Sequence, residues 1–132
     1  RELAANLDVR GEFMKLDPTA IFALPEVLSQ HRTRDLPTAV AGDVARQDLD
    51  PLNAVHKIAG HMLLDAIASP TLTLTTDAQV GFEIVRAAAA AGFGAVATTA
   101  GVTSMAVELA RATNTVLVGE VGEERFSVYA GA

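Results

Sequence analysis

No cysteine occurs among the 132 residues. Disulfides, thiolate metal sites and cysteine nucleophiles are therefore excluded within this chain. Tryptophan is also missing, and aromatic residues make up only 5% of the sequence. With Ala, Val and Leu abundant instead, the composition suits helices packed tightly on a sheet. Positive charge is scarce: 10 Lys and Arg stand against 16 Asp and Glu, a formal net charge of −6. That balance argues against a broad nucleic-acid surface or an anionic-membrane surface, because both need clustered cations. No run approaches the ~18 apolar residues of a membrane span. The run from Arg86 is short and is interrupted by Gly92 and Gly94. No secretory signal is visible. The chain begins at Arg1, and we expect a fragment, a processed product or the ordered part of something longer.

What is present is a single domain's worth of chain, residues 1–132, half of it hydrophobic. A chain of this size buries roughly two-thirds of its unfolded surface. Leu3, Leu7, Val9 and Phe13 leave room for an N-terminal strand. Asp17-Pro18 reads as a cap followed by proline at the first helical position. Pro25 either breaks that helix or opens a second one through Gln30. Thr38 to Ala41 and Val44 to Gln47 are short strands, with Gly42-Asp43 as a tight turn. Asp50-Pro51 opens a helix to about Ala68, with Val55, Ile58, Met62 and Leu63 as its apolar stripe, ended by Ser69-Pro70. Strands are expected at Thr71 to Thr76, Phe93 to Thr98, Thr115 to Gly119 and Phe126 to Tyr129. Helices fall between them, one capped by Asp77 and stopped at Gly92, one over Thr103 to Ala112. This alternation predicts an α/β sandwich with a mixed, mostly parallel sheet and an antiparallel edge. The strands near Thr71 to Thr76, Phe93 to Thr98 and Thr115 to Gly119 should be adjacent and central.

Several segments, in order, resemble the FdhD-type formate dehydrogenase accessory (sulfurtransferase) family. Leu16-Asp17-Pro18 through Leu24-Pro25-Glu26 is similar to its early helical stretch. Gln47-Asp48-Leu49-Asp50-Pro51-Leu52-Asn53-Ala54-Val55-His56-Lys57 resembles its Glu-Asp-Val-Gly-Arg-His-Asn-Ala-Val-Asp-Lys motif. Phe82-Glu83 resembles the end of Ser-Gly-Arg-Ala-Ser-Phe-Glu, and Ala106 to Ala110, Val116 to Gly119 and Glu124 to Tyr129 resemble its closing segments. The resemblance covers roughly Leu16 to Tyr129. It implies a three-layer, cytidine-deaminase-like α/β fold and a cytoplasmic role. It further implies sulfur passage from a cysteine desulfurase to the molybdenum bis-guanine-dinucleotide cofactor of formate dehydrogenase, through a cysteine loop that this chain lacks. Formate dehydrogenase and a cysteine desulfurase are the partners it suggests; a homodimer is allowed.

The departures fall where the family binds an anion. Gly-Arg-His is replaced by Asp50-Pro51-Leu52, Ser-Gly-Arg by Asp77-Ala78-Gln79 and Ser-Ala-Pro by about Ala100-Gly101-Val102. Thr-Gly-Gly-x-His-x-Ala corresponds to Thr33 through Ala39. Two cations are thus lost to Pro51 and Gln79. Each charge-assisted phosphate bond is worth roughly 1.5–3 kcal/mol, so guanine-nucleotide binding should fall by about a hundredfold to ten-thousandfold. An alternative role follows: a non-catalytic relative acting as a protein-interaction domain.

Asn53 and Lys57, four apart on one helical face, read either as ligand-binding groups or as an Asn bonded to nearby backbone with a solvated Lys. Glu83 reads more simply as a helix-start acid favoured by the dipole than as a ligand group. Thr103 and Ser104 begin a helix after Gly101, where backbone donors could face an anion or ordinary capping could suffice. Together with Asp77, these six are the candidate cofactor-binding residues, expected at the C-terminal ends of the parallel strands. No catalytic residue and no metal site is assigned. His56 and His61 point about 140° apart on a helix and His31 is remote, and the His-x-Glu and Pro-Cys-x-x-Cys ligands of zinc deaminases are missing.

Overall fold

The computed structural model describes residues 13–31, 36–41, 44–65 and 72–131. Any N-terminal strand before Phe13, the turn at Gly42-Asp43, and the helix end at Ser69-Pro70 lie outside these residues. Asp17 caps α1 (Pro18–Phe22): its side chain accepts from the Thr19 N–H at 3.1 Å, and Pro18 occupies the first helical turn. Ala23 closes α1, and α2 (Leu24–His31) follows at once. Pro25 thus sits in the first turn of the second helix, where its missing N–H costs nothing.

β1 (Thr38–Ala41) and β2 (Val44–Gln47) form an antiparallel pair. Then come α3 (Pro51–Asp65), β3 (Thr73–Thr76), α4 (Phe82–Ala90), β4 (Ala95–Thr98), α5 (Ser104–Thr113), β5 (Val116–Gly119) and β6 (Ser127–Ala130). Gly92 at φ 91° stops the α4 region, and Asn114 at φ 54° closes α5 in the left-handed conformation that Asn tolerates better than most residues.

The six strands form one sheet in the order β2-β1-β3-β4-β5-β6. β3, β4 and β5 are adjacent, parallel and central, as the helix-alternating pattern requires. The antiparallel portion is wider than one edge: β1 and β2 flank the parallel trio on one side, β6 on the other.

The pleat sends alternate side chains to opposite faces. Leu74, Val96 and Leu117 meet Val55 and Ile58 of α3, Val85 of α4 and Leu109 of α5 in the larger core. Ala95, Ala97, Val116 and Val118 meet Ile21 on the opposite face, with Phe13, Met14, Leu16 and Leu24 packed around them. The result is three layers, helices above and below a sheet. Small residues at 95 and 97 let α1 and the extended segment from Phe13 approach closely. No helix among the described residues is long and apolar enough to cross a membrane.

Candidate functional site

One edge of the sheet gathers most of the polar groups, and topology puts them there. β3, β4 and β5 run parallel and end together at Thr76, Thr98 and Gly119. β1 runs against β3 with Ala39 opposite Thr76, so its first residue, Thr38, lies at this same edge. Gln47, the last residue of β2, pairs with Thr38. α3 leaves from β2, α4 from β3 and α5 from β4, and all three pack on one face. Their N-termini therefore line up along the edge, with the first-turn dipoles and N–H groups facing it.

A hydrogen-bonded seam crosses every strand there. Gln47 Nε2 donates to Thr38 Oγ1 at 3.0 Å. Thr76 Oγ1 donates to the Thr38 carbonyl at 2.9 Å, and Thr98 Oγ1 donates to the Ala78 carbonyl at 2.6 Å. The Glu120 N–H donates to the Ala100 carbonyl at 2.8 Å, and the Tyr129 hydroxyl donates to the Glu120 carboxylate. Thr38, Thr76 and Thr98 are essentially buried, so each hydroxyl must find a partner inside. Gly119 makes the last step sterically feasible: a Cβ there would lie 2.9 Å from Tyr129 Cε2 and 3.2 Å from Val102 Cγ1.

The candidate residues divide among three clusters along this edge. Asn53 and Lys57 lie on the exposed side of α3 near its start. Lys57 is not simply solvated: its Nζ sits 2.7 Å from Asp48 Oδ2 and donates to the Gln47 carbonyl at 3.4 Å. Asp48 Oδ1 accepts from the Asp50 N–H at 3.1 Å, and Asp50 Oδ1 accepts from the Leu52 N–H at 2.9 Å. The Lys57 ammonium, followed by the Asp50 N–H and, more weakly, the Asn53 side chain, holds the Asp48 carboxyl below the usual carboxylate range.

Asp77 does not cap α4. Its Oδ1 accepts from the Thr38 N–H at 2.9 Å while its own N–H donates to the Thr38 carbonyl at 3.3 Å, so it extends the β1–β3 junction. Val80 and Val102 prolong the β3–β4 pairing through a parallel bridge, which delays α4 until Gly81. Glu83 accordingly stands in the first turn of α4, exposed, one turn earlier than its distance from Asp77 suggests. Thr103 caps α5, its hydroxyl accepting from the Ala106 N–H at 3.2 Å, and Ser104 is the exposed first helical residue. The Thr99, Ala100 and Thr103 N–H groups are spent on the Thr76 carbonyl, Thr98 Oγ1 and the Val80 carbonyl.

All six candidates thus share the edge, but in separate clusters: Asn53 with Lys57, then Asp77 and Glu83, then Thr103 with Ser104. Asp48, Glu120 and Tyr129 belong to it as well and were not singled out from sequence. Asp48 carried two signals: it keeps the Asp of the motif quoted for the resemblance, and it opens an Asp-x-Asp spacing before a proline. Tyr129 lay in a closing segment that resembles the family, but nothing in the sequence pointed to its meeting with Glu120, which depends on the β5–β6 register. A separate cavity of about 240 Å³ lies on the opposite face, lined by Ile21, Leu24, Val27, Val40 and Thr75 among others, away from this edge. No group of three His, Cys, Asp or Glu that could hold a metal occurs among the described residues.

Comparison with known proteins shows the family and the fold. A sequence model of the FdhD/NarQ family matches residues 14–132. The sulfur carrier protein FdhD of Anaeromyxobacter dehalogenans is 43% identical over 101 residues, covering 71% of this chain and 33% of that protein. Its counterpart from Thermoplasma acidophilum is 30% identical over 144 residues, covering 98% of this chain and 51% of that protein. The chain therefore spans a third to a half of the length of these relatives. A crystal structure from Desulfotalea psychrophila, described as a formate dehydrogenase accessory protein, superposes with a TM-score of 0.83 at 19% identity, covering 98% of this chain and 60% of that one.

Proposed function

The chain belongs to the FdhD/NarQ family, and from that premise we propose that it serves the maturation of a formate dehydrogenase in the cytoplasm. The observation that carries this reading is the family match, which runs through both sheet faces and the polar edge. In this reading the described α/β unit is a single domain that holds the edge in shape. Asn53, Lys57, Asp77, Glu83, Thr103 and Ser104 are its ligand-facing positions, and formate dehydrogenase and a cysteine desulfurase are its partners. Relay of sulfur to the molybdenum cofactor requires a thiolate, which these 132 residues do not contain. That step would use a cysteine from outside them.

The edge as arranged does not fit the pyrophosphate of a guanine-dinucleotide cofactor. Asp50, Glu83 and Glu120 are exposed along it, and the Lys57 ammonium is already paired. The combination of an acidic edge and no thiol also favours a second reading, a relative that acts through protein contacts alone.

Deleting the gene in its host tests both. The first reading expects formate dehydrogenase protein to accumulate with its activity and its cyanide-releasable sulfur lost together. The second expects sulfur to remain on the enzyme while assembly falls. Unaltered activity in the deletion strain sinks both readings.

A further inference from the structure

On the sheet face opposite α3, α4 and α5, the helices α1 and α2 do not close fully over the strands. The pleat points Thr73 and Thr75 of β3 and Val40 of β1 toward these two helices. The β4 residues in register with the two threonines are Ala95 and Ala97, which reach little above the sheet. The helical cover also breaks, because α1 closes at Ala23 and α2 restarts at Leu24. Between Ile21, Leu24 and Val27 on the helices and the three strand residues lies the cavity of about 240 Å³, and no charged residue lines it. Thr75 is the exception among the buried threonines. Thr38, Thr76, Thr98, Thr113 and Thr115 all hydrogen-bond through their hydroxyls. Thr75 is only 3% exposed, yet its hydroxyl has no hydrogen-bond partner among the described residues. Its oxygen is not walled off, and the space it borders is the cavity. A hydroxyl this deep normally finds a partner, and the cavity is where one would sit.

We propose that this cavity is a binding site for a small, neutral, mainly apolar molecule that carries one hydroxyl and hydrogen-bonds it to Thr75. The site goes beyond the maturation reading and is separate from the polar edge at the strand ends. Size sets the first limit on the ligand. An apolar cavity of about 150 Å³ takes a benzene ring, so about 240 Å³ takes one ring with a few more atoms. Charge sets the second: a carboxylate or ammonium would lose its hydration there with no opposite charge to meet. Water fills the space poorly. The Thr73 and Thr75 hydroxyls can anchor about one or two waters, whereas the volume would take several at about 30 Å³ each. A ring displaces loosely held water favourably, and its own hydroxyl replaces the hydrogen bond that Thr75 would make to water.

The probe is para-cresol, added to the purified full chain and followed by NMR of the methyl groups of Ile21, Leu24, Val27 and Val40. These methyls should shift together, with a dissociation constant on the order of 1 mM or tighter for a ligand of this size. para-Xylene has the same shape with a methyl in place of the hydroxyl, and it should bind roughly threefold to tenfold more weakly. Thr75→Val keeps the shape and removes the hydroxyl, and it should bring the two probes to equal affinity. The charged para-toluate should bind at least about tenfold more weakly than para-cresol. Val27→Phe, which fills the cavity from α2, should remove binding of both neutral probes. In the free chain Thr75→Val should hold or raise the urea midpoint, whereas Thr76→Val breaks the bond to the Thr38 carbonyl and should lower it. The proposal is overturned if the cavity methyls do not move, which means water only, or if the two neutral probes bind the parent chain alike. It is overturned equally if Thr75→Val leaves their ratio unchanged, if para-toluate binds as well as para-cresol, or if binding survives Val27→Phe. A urea midpoint lowered by Thr75→Val as much as by Thr76→Val would show that the hydroxyl already has a partner, and overturns it too. So do methyl shifts that follow protein concentration without probe, which mean that a second copy of the chain fills the space.

Discussion

Tyr129 is the one tyrosine in the sequence, and tryptophan is absent, so its phenol can be followed directly by ultraviolet absorbance. Its hydroxyl donates to the Glu120 carboxylate, which pushes its pKa above the ordinary value of 10.0. The folded phenol thus titrates higher than the unfolded one. Its contribution to stability is complete below about pH 10 and is lost as the pH rises through the raised value. Glu120→Gln should bring the midpoint back down, and a midpoint that stays put would show that the carboxylate is not the cause. At the neighbouring position, Gly119→Ala would drive a methyl group to 2.9 Å from Tyr129 Cε2 and 3.2 Å from Val102 Cγ1. Overpacking of this kind costs about 1–3 kcal/mol, measurable by urea unfolding. An unchanged midpoint would mean that Tyr129 swings away freely.

At the scale of elements, helix starts carry the site, and each is built differently. α3 is capped by Asp50, α5 by Thr103, and α4 by Gly81 with no side-chain bond. The Thr103 hydroxyl satisfies the Ala106 N–H at 3.2 Å, and the same residue's N–H bonds the Val80 carbonyl, which ties the helix start to the β3–β4 extension. Thr103→Ala should therefore cost about 1 kcal/mol, within the 0.5–2 range for lost caps. Amide exchange should quicken first at Ala106. Protection that is unchanged there would show that the cap does not hold the segment at Val102 and Thr103.

For the molecule as a whole, stability is set by the sheet's two buried faces rather than by its polar edge. Leu117 lies at the middle of central β5, fully buried, with α5 above it and β4 and β6 beside it. Leu117→Ala should cost roughly 2–5 kcal/mol, whereas Met105→Ala on the exposed start of α5 should stay within about 0.5 kcal/mol. Chemical denaturation of both variants checks the contrast. Similar losses would mean that the exposed Met105, at 45%, packs against something in solution.

Element types and most of their ends were legible in the sequence because their causes are local. Asp17-Pro18 and Asp50-Pro51 start helices through their own side chains and a fixed φ, and the period-2 alternation of Leu and Thr around Leu74 expresses the pleat itself. The FdhD-like segments likewise declared the family in linear order. Partner choice was not legible. Asp77 reads as a cap for the helix that follows it, yet its carboxylate takes the N–H of Thr38, 39 residues earlier, because β1 lies beside β3 in antiparallel register. Lys57 reads either as a ligand-binding group or as solvated, yet it closes on Asp48, because the antiparallel β1–β2 pair delivers Gln47 and Asp48 to the side of α3. A charged or polar side chain has a few favourable partners of nearly equal intrinsic strength. Strand order and register decide which of them comes within 3 Å, so the scaffold could be read from the sequence and the state of its site only from the tertiary structure.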